Sequence, residues 1–176
     1  MPPLHTYLSA LMTLACIACA GEGAPAVQDA GAADVPVAPA TPSMQLGNNP
    51  TGKTGPEQFG LLAEGGEVRV EWGFQGFHML VFALRCDQGG PAPVWIELQL
   101  LEGDEVLASA RLRRPSLDPG GDGAFYAWDI FVLTPDWDAW VDRPVLVDAR
   151  LLDDEDRLVT AASVGVVVRP PPGLFD

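Results

Sequence analysis

An all-β fold, an antiparallel two-sheet sandwich of seven or eight strands, is what this sequence predicts, and three observations carry the prediction. From Gln58 onward, runs with a period of two recur, as in Val94-Trp-Ile-Glu-Leu-Gln-Leu; that period marks a half-buried strand. Clusters of Gly, Pro and Asp interrupt these runs at intervals of about 8–15 residues, the rhythm of short strands and turns. No stretch after Gln58 carries a sustained period of 3.6, so no long helix is expected.

The strands follow in order. Residues 59–63 form a short first strand, broken by Glu64-Gly-Gly66. Residues 67–85 organise the rest. Val68, Val70 and Trp72 alternate with Glu67, Arg69 and Glu71, which predicts an apolar face toward the core and a polar face toward solvent. Gly73-Phe-Gln-Gly76 supplies residues that tolerate positive φ, as a hairpin connection requires. The return run, residues 77–84, is apolar on both faces except at His78, which suits a strand covered on both sides. Residues 86–93 read as a loop. Val94, Ile96, Leu98 and Leu100 point inward on the next strand, and Glu102-Gly-Asp-Glu105 turns it into residues 106–112. Residues 113–123 form the longest internal loop. Residues 125–133 then place Tyr126, Trp128, Ile130 and Val132 on one face. Residues 134–144 form a loop with one helical turn begun by Thr134 and Pro135. Residues 145–152 and 157–168 form a last hairpin across Asp153-Asp-Glu-Asp156.

What precedes the strands has a different composition. Leu8-Ser-Ala-Leu-Met-Thr-Leu-Ala-Cys-Ile-Ala-Cys-Ala is an apolar run too short to span a bilayer comfortably. Small residues and then polar sequence follow it, the layout of a secretory signal. Residues 1–7 contain no Lys or Arg, unlike the usual front end of such a signal. Three cleavage readings stand: lipidation at Cys19 after Ile17-Ala18, lipidation at Cys16, and ordinary cleavage at Ala18-Cys-Ala20. The layout favours Cys19 over a buried N-terminal helix, because nothing amphipathic continues the run. Residues 21–55, rich in Ala, Pro and Gly, offer few large side chains to offset the entropy of ordering. They read as a disordered tether reaching roughly 30–35 Å. The expected organisation is therefore a signal segment at 1–20, a tether at 21–55, a sandwich at 56–170 and a tail at 171–176.

Charge and cysteine usage narrow the function classes. The chain of 176 residues carries a formal charge of −14 with only 10 basic residues, so nucleic acid is not expected as a partner. Membrane contact is expected through a lipid anchor only. Of the 3 cysteines, Cys86 alone lies in the predicted domain, and the core must hold itself together without an internal disulfide.

The residues that could carry chemistry point to none in particular. Gly47-Asn-Asn-Pro-Thr-Gly-Lys-Thr54 matches a phosphate-binding loop letter for letter, but a Pro-rich stretch leads in and Gly55-Pro56 leads out. Without a strand before and a helix after, the pattern has no phosphate site to build. His78 is the one histidine outside the signal segment; a metal centre or a serine triad needs further partners. It reads instead as a strand histidine at the mouth of the hairpin. Acidic loops at Asp118 and Asp122, at Asp136, Asp138 and Asp142, and at residues 153–156 could offer oxygens to calcium. Turn formation is the simpler use of those residues. No metal or other cofactor is implied. Among the 5 tryptophans, Trp72 and Trp128 read as core. Trp95, Trp137 and Trp140 are candidate ligand-binding residues, since flat aromatics stack on sugar rings and anchor protein interfaces. The alternative for Trp137 and Trp140 is that they plug an open end of the sandwich.

Taken with the signal, the tether and the Asp-rich last hairpin, the turn motif Gly73, Gln75, Gly76 and His78 resembles uncharacterised cell-envelope lipoproteins of Gram-negative bacteria with one immunoglobulin-like sandwich. The resemblance implies an exported, lipid-anchored protein in the periplasm or at the cell surface. It implies no activity. A non-enzymatic module for binding or a structural role is the expectation, with an envelope protein or a glycan as partner; a carbohydrate-binding module using the three tryptophans is the alternative.

Overall fold

The computed structural model describes residues 43–73 and 76–173. The signal segment, Cys16, Cys19, residues 21–42 of the predicted tether, Gln75 and residues 174–176 lie outside the described residues. Two sheets pack face to face. The first has the order β2-β1-β5-β9-β8, with β4 pairing β5; the second has the order β3-β11-β10-β6-β7. The strands are β1 (Met44–Asn48), β2 (Gly60–Leu61), β3 (Gly66–Arg69), β4 (Glu71–Trp72), β5 (His78–Cys86), β6 (Val94–Glu102), β7 (Glu105–Arg114), β8 (Asp118–Pro119), β9 (Phe125–Leu133), β10 (Pro144–Leu152) and β11 (Leu158–Arg169). The two-sheet sandwich is therefore the fold, with eight strands longer than two residues. One pair departs from the antiparallel expectation: β3 runs parallel to β11.

Alternation builds the core. Leu80, Phe82, Leu84 and Cys86 of β5 are fully buried and meet Ile96, Leu98 and Leu100 of β6 together with Val147 and Ala149 of β10. The expected inward set on β6 holds, with Val94 packed at its margin. The last hairpin also holds, from Pro144 opposite Val167 to Leu152 opposite Leu158. A fully buried Leu, Ile, Val or Phe contributes about 1.5–3 kcal/mol, so this cluster dominates the stability. Cys86 is a free thiol within it, and burial pushes its pKa up to about 12.

Three expectations are corrected. First, the tether does not extend to residue 55. Met44 and Leu46 are buried, and β1 pairs β5 with Met44 opposite Cys86 and Gly47 opposite Ala83. Two inward side chains in a Pro- and Ala-rich context give too short an alternation to read as a strand. Secondly, residues 67–72 are not one arm of a hairpin. Val68 belongs to β3 in the second sheet, whereas Trp72 belongs to β4 in the first. The chain crosses between sheets at Val70, which is fully buried and whose N–H donates to the Arg169 carbonyl at 3.0 Å. Trp72 ends 56% exposed because it lies past the core's end. The turn itself is as expected: Gly76 has φ 80°, and the Gly73 N–H donates to the Phe77 carbonyl at 2.7 Å.

Thirdly, β9 does not keep one face. The register pairs Phe82 with Ile130 but Leu84 with Ala127, so β9 carries an extra residue there. This bulge turns the alternation over. Ile130, Val132 and Ala127 face the core, while Tyr126 and Trp128 face the outside of the first sheet. They are buried there nonetheless, stacked on each other at 4.8 Å and capped edge-on by Phe59. Both faces of β5 are thus covered, as its apolar run predicts: Met79, Val81 and Ala83 are buried on the outer side.

Candidate functional site

The predicted site residues are not brought together. Trp140 is 6% exposed and belongs to the core cluster. It sits in the 3-10 turn Trp137–Trp140, the helical turn expected after Pro135, and it closes that end of the sandwich. Trp95 lies on the outer face of the second sheet, where the Arg111 guanidinium covers its ring at 4.7 Å. Trp137 packs at the sandwich mouth against His78. No common platform joins the three, so the glycan reading built on them loses its geometry.

A different aromatic group forms instead. His78 is inserted between Trp72, at 4.3 Å between ring centroids, and Trp137, at 5.2 Å. The ladder dictates the first contact, since Trp72 pairs directly with His78; the 3-10 turn supplies the second. The result is a column of three rings that continues the core outward. It ends in solvent at Trp72; Phe77, next to His78 in the chain, is also 56% exposed. The rings are tilted by 47° and 43° rather than parallel. Beneath them, His78 Nε2 and Thr134 Oγ1 are buried without a protein partner. The Thr134 N–H donates to the His78 carbonyl at 2.9 Å, so the two residues are neighbours across the ladder. His78 was read as a strand histidine at the hairpin mouth; its place between two tryptophans was legible only if Trp72 was allowed to leave the core.

The phosphate-loop lookalike has a structural use for its Gly47, Asn49 and Gly52. A strand, β1, does lead in, contrary to expectation, but only the 3-10 turn Pro56–Gln58 follows. Gly47 is required because a Cβ there would stand 2.4 Å from the Phe59 ring. Gly52 has φ 73°. Its N–H donates to Asp129 Oδ1 at 3.1 Å, and the Asn49 Nδ2 donates to the same oxygen at 3.0 Å. Asn49 is 4% exposed and also donates to the Lys53 carbonyl at 2.8 Å. The amide that would meet a phosphate meets the protein's own carboxylate. Asp129 is the bulge residue of β9 at φ 51°, so one aspartate latches the loop and shapes the strand.

The acidic loops are likewise engaged. Asp122 accepts from the Tyr126 hydroxyl at 2.7 Å and lies 3.3 Å from Arg85 Nη2. The Tyr126 hydrogen bond, more than the arginine, holds its carboxyl below the usual range. Asp153 accepts from the N–H groups of Glu155 and Arg157, both at 2.9 Å, which caps the last hairpin. Asp154 and Asp156 pair with Arg113 and Arg111 at 2.7 and 2.6 Å. Asp142 pairs with Arg169, which also holds Glu67. Among the described residues no group of three or more His, Cys, Asp or Glu side chains is placed to hold a metal ion. A shallow groove of about 540 Å³ lies on the outer face of the second sheet, lined by Glu97, Arg111, Asp148, Arg150 and Asp156; Arg150 pairs with Asp148, and Arg111 is shared by Glu97 and Asp156.

The chain enters the sandwich far from the aromatic column. The Ser43 N–H and hydroxyl both donate to Asp87, at 2.8 Å each, and Met44 pairs with Cys86. His78 is at the other end of the same strand, roughly 26 Å away at the usual rise per residue. No helix among the described residues is long and apolar enough to cross a membrane. No protein-family model matches the chain, and no curated protein matches it. Among solved structures it is similar to the N-terminal domain of PorA, at 9% identity over 72% of this chain and 97% of that chain, with a TM-score of 0.29; so distant a likeness carries no inference about function.

Proposed function

We propose that this protein is a non-enzymatic envelope lipoprotein, exported and anchored through Cys19, whose sandwich binds a partner protein through Trp72, Phe77, His78 and Trp137. The observation that carries the reading is the column of rings that ends in exposed Trp72. Large aromatics held rigidly at a surface lose little entropy on binding and are the residues that dominate interface energetics. Trp72 is held against the His78 ring at 4.3 Å, which makes it a preformed anchor. Its position supports the same reading. Ser43, the first described residue, lies at the Cys86 end of β5, the end opposite the column.

The glycan alternative needs a sugar to stack on a ring face. The tilt between the rings and the cover over Trp95 speak for a protein ligand instead. Two experiments test the proposal. Mass spectrometry of the mature protein from its native cells is expected to find lipid on Cys19, absent in Cys19→Ser; an intact Met1 terminus would overturn the anchoring. Affinity capture from native envelope with wild type and Trp72→Ala is expected to differ in a discrete partner, which purified components then reconstitute. Equal binding by both proteins would remove the column from the site, and binding to a glycan but no protein would replace the partner class.

A further inference from the structure

We infer that the chain self-associates through β7, pairing antiparallel with β7 of a second copy to join two second sheets into one. The four sheet edges are unequal. β2 and β8 have 2 residues each and β3 has 4, whereas β7 has 10 and ends its sheet. Short edge strands are a common guard against pairing with other chains, and three edges have that guard. The fourth leaves a long row of backbone N–H and C=O groups for a partner strand.

The usual second guard, charge on the edge, is diverted. Arg111 and Arg113 are drawn onto the outer sheet face by Asp156 and Asp154. Arg114 bends toward the other sheet, where it donates to the Trp128 carbonyl at 2.5 Å. What remains along the middle of the edge is Ala108, Ser109 and Ala110, small residues that let two backbones approach. A bulge at Leu107, where Leu100 opposes Ala108 but Leu101 opposes Val106, precedes this flat part without interrupting it.

The occupant follows from the strand's polarity. Asp104 and Glu105 stand at its start, and Arg111, Arg113 and Arg114 at its end. An antiparallel copy centred on Ser109 sets Ala108 opposite Ala110 of the partner subunit, and brings each copy's Asp104 and Glu105 toward the other's Arg111 and Arg113, whose exposed pairs with Asp156 and Asp154 are weak enough to be shared. A parallel partner would align like charges, which opposes pairing. The inference is independent of the aromatic column, which lies on the first sheet; a dimer would carry two such columns, and their joint binding would gain from effective concentration.

The test uses the full chain with Cys16→Ser and Cys19→Ser, in solution, by sedimentation from 1 to about 100 μM, a span bracketing modest interface affinities. Wild type is expected to show a monomer–dimer equilibrium. Ser109→Lys, at an exposed position, sets two ammonium groups against each other and is expected to weaken the dimer by at least about tenfold with an unchanged circular dichroism spectrum. Ser109→Cys is expected to form an interchain disulfide under mild oxidation, while Leu158→Cys, also exposed but on another strand, does not. A monomer throughout the range, or a dimer indifferent to Ser109→Lys, overturns the inference.

Discussion

Asp129 is the residue on which most of the corrected geometry turns, and its replacement separates two contributions. Its carboxylate accepts hydrogen bonds from Asn49 Nδ2 at 3.0 Å and the Gly52 N–H at 3.1 Å. Its backbone stands at φ 51°, a region Asp tolerates better than most residues. Asp129→Ala removes the one oxygen that accepts both bonds and leaves buried Asn49 short of a partner, a loss of about 1.5–3 kcal/mol for bonds to a charged group. Placing alanine at this φ adds about 1 kcal/mol. The expected destabilisation is about 3 kcal/mol in urea unfolding, a large part of the 5–15 kcal/mol typical of such a domain. Asp129→Gly relieves the backbone and is expected to recover about 1 kcal/mol of that loss. Asp129→Asn keeps the conformation and one acceptor and should be the mildest of the three. Lys53→Ala, in the same loop, is expected to be neutral, because only its backbone is used: the carbonyl accepts from Asn49 Nδ2 and the N–H donates to the Pro50 carbonyl. The reasoning is refuted if Asp129→Ala unfolds at the wild-type urea midpoint, or if glycine and alanine are indistinguishable.

Other consequences can be checked alongside it. Phe82→Ala, at a fully buried site, should cost about 3–5 kcal/mol, whereas Trp72→Ala, being more than half exposed, should cost only about 1–2 kcal/mol; equal losses would return Trp72 to the core. Cys86 should resist alkylation at pH 8 in the folded protein, since burial keeps it as the neutral thiol, and should react once urea unfolds the chain; prompt labelling of native protein contradicts this. Asp122 has a folded pKa depressed by Tyr126 first and Arg85 after it. The stability it contributes is therefore present above its unfolded value, near 4, and is lost as pH falls through the lower folded value. Asp122→Asn should flatten that part of the acid limb of stability against pH; an unchanged slope would show that the carboxylate is not coupled to folding.

The fold was legible wherever alternation ran unbroken. β6, β10 and β11 each present a clean inward set, and turn residues mark the last hairpin. Legibility failed where a single backbone event changed the meaning of later residues. The bulge before Ile130 reverses the faces of Tyr126 and Trp128, and only the Asp129 conformation, itself fixed by a loop 80 residues earlier, enforces it. At Val70 the chain changes sheets, so a pattern that is regular in sequence serves two different ladders. β1 was hidden because Met44 and Leu46 are its whole inward signal. The column of rings is legible only in part: His78 lies in the predicted return strand, but the alternation that assigns Trp72 to the core ends at Val70.

Site-specific photo-crosslinking in the native cells addresses the proposed function most directly. A photoreactive phenylalanine analogue is placed in the full chain at position 77, and in a second protein at position 158. Phe77 and Leu158 are similarly exposed, at 56% and 62%, so exposure alone does not distinguish them. A docking surface at the column predicts a discrete crosslinked protein from position 77 that Trp72→Ala abolishes, and none from position 158. Absence of any adduct at 77, or the same adducts from both positions, contradicts the proposal.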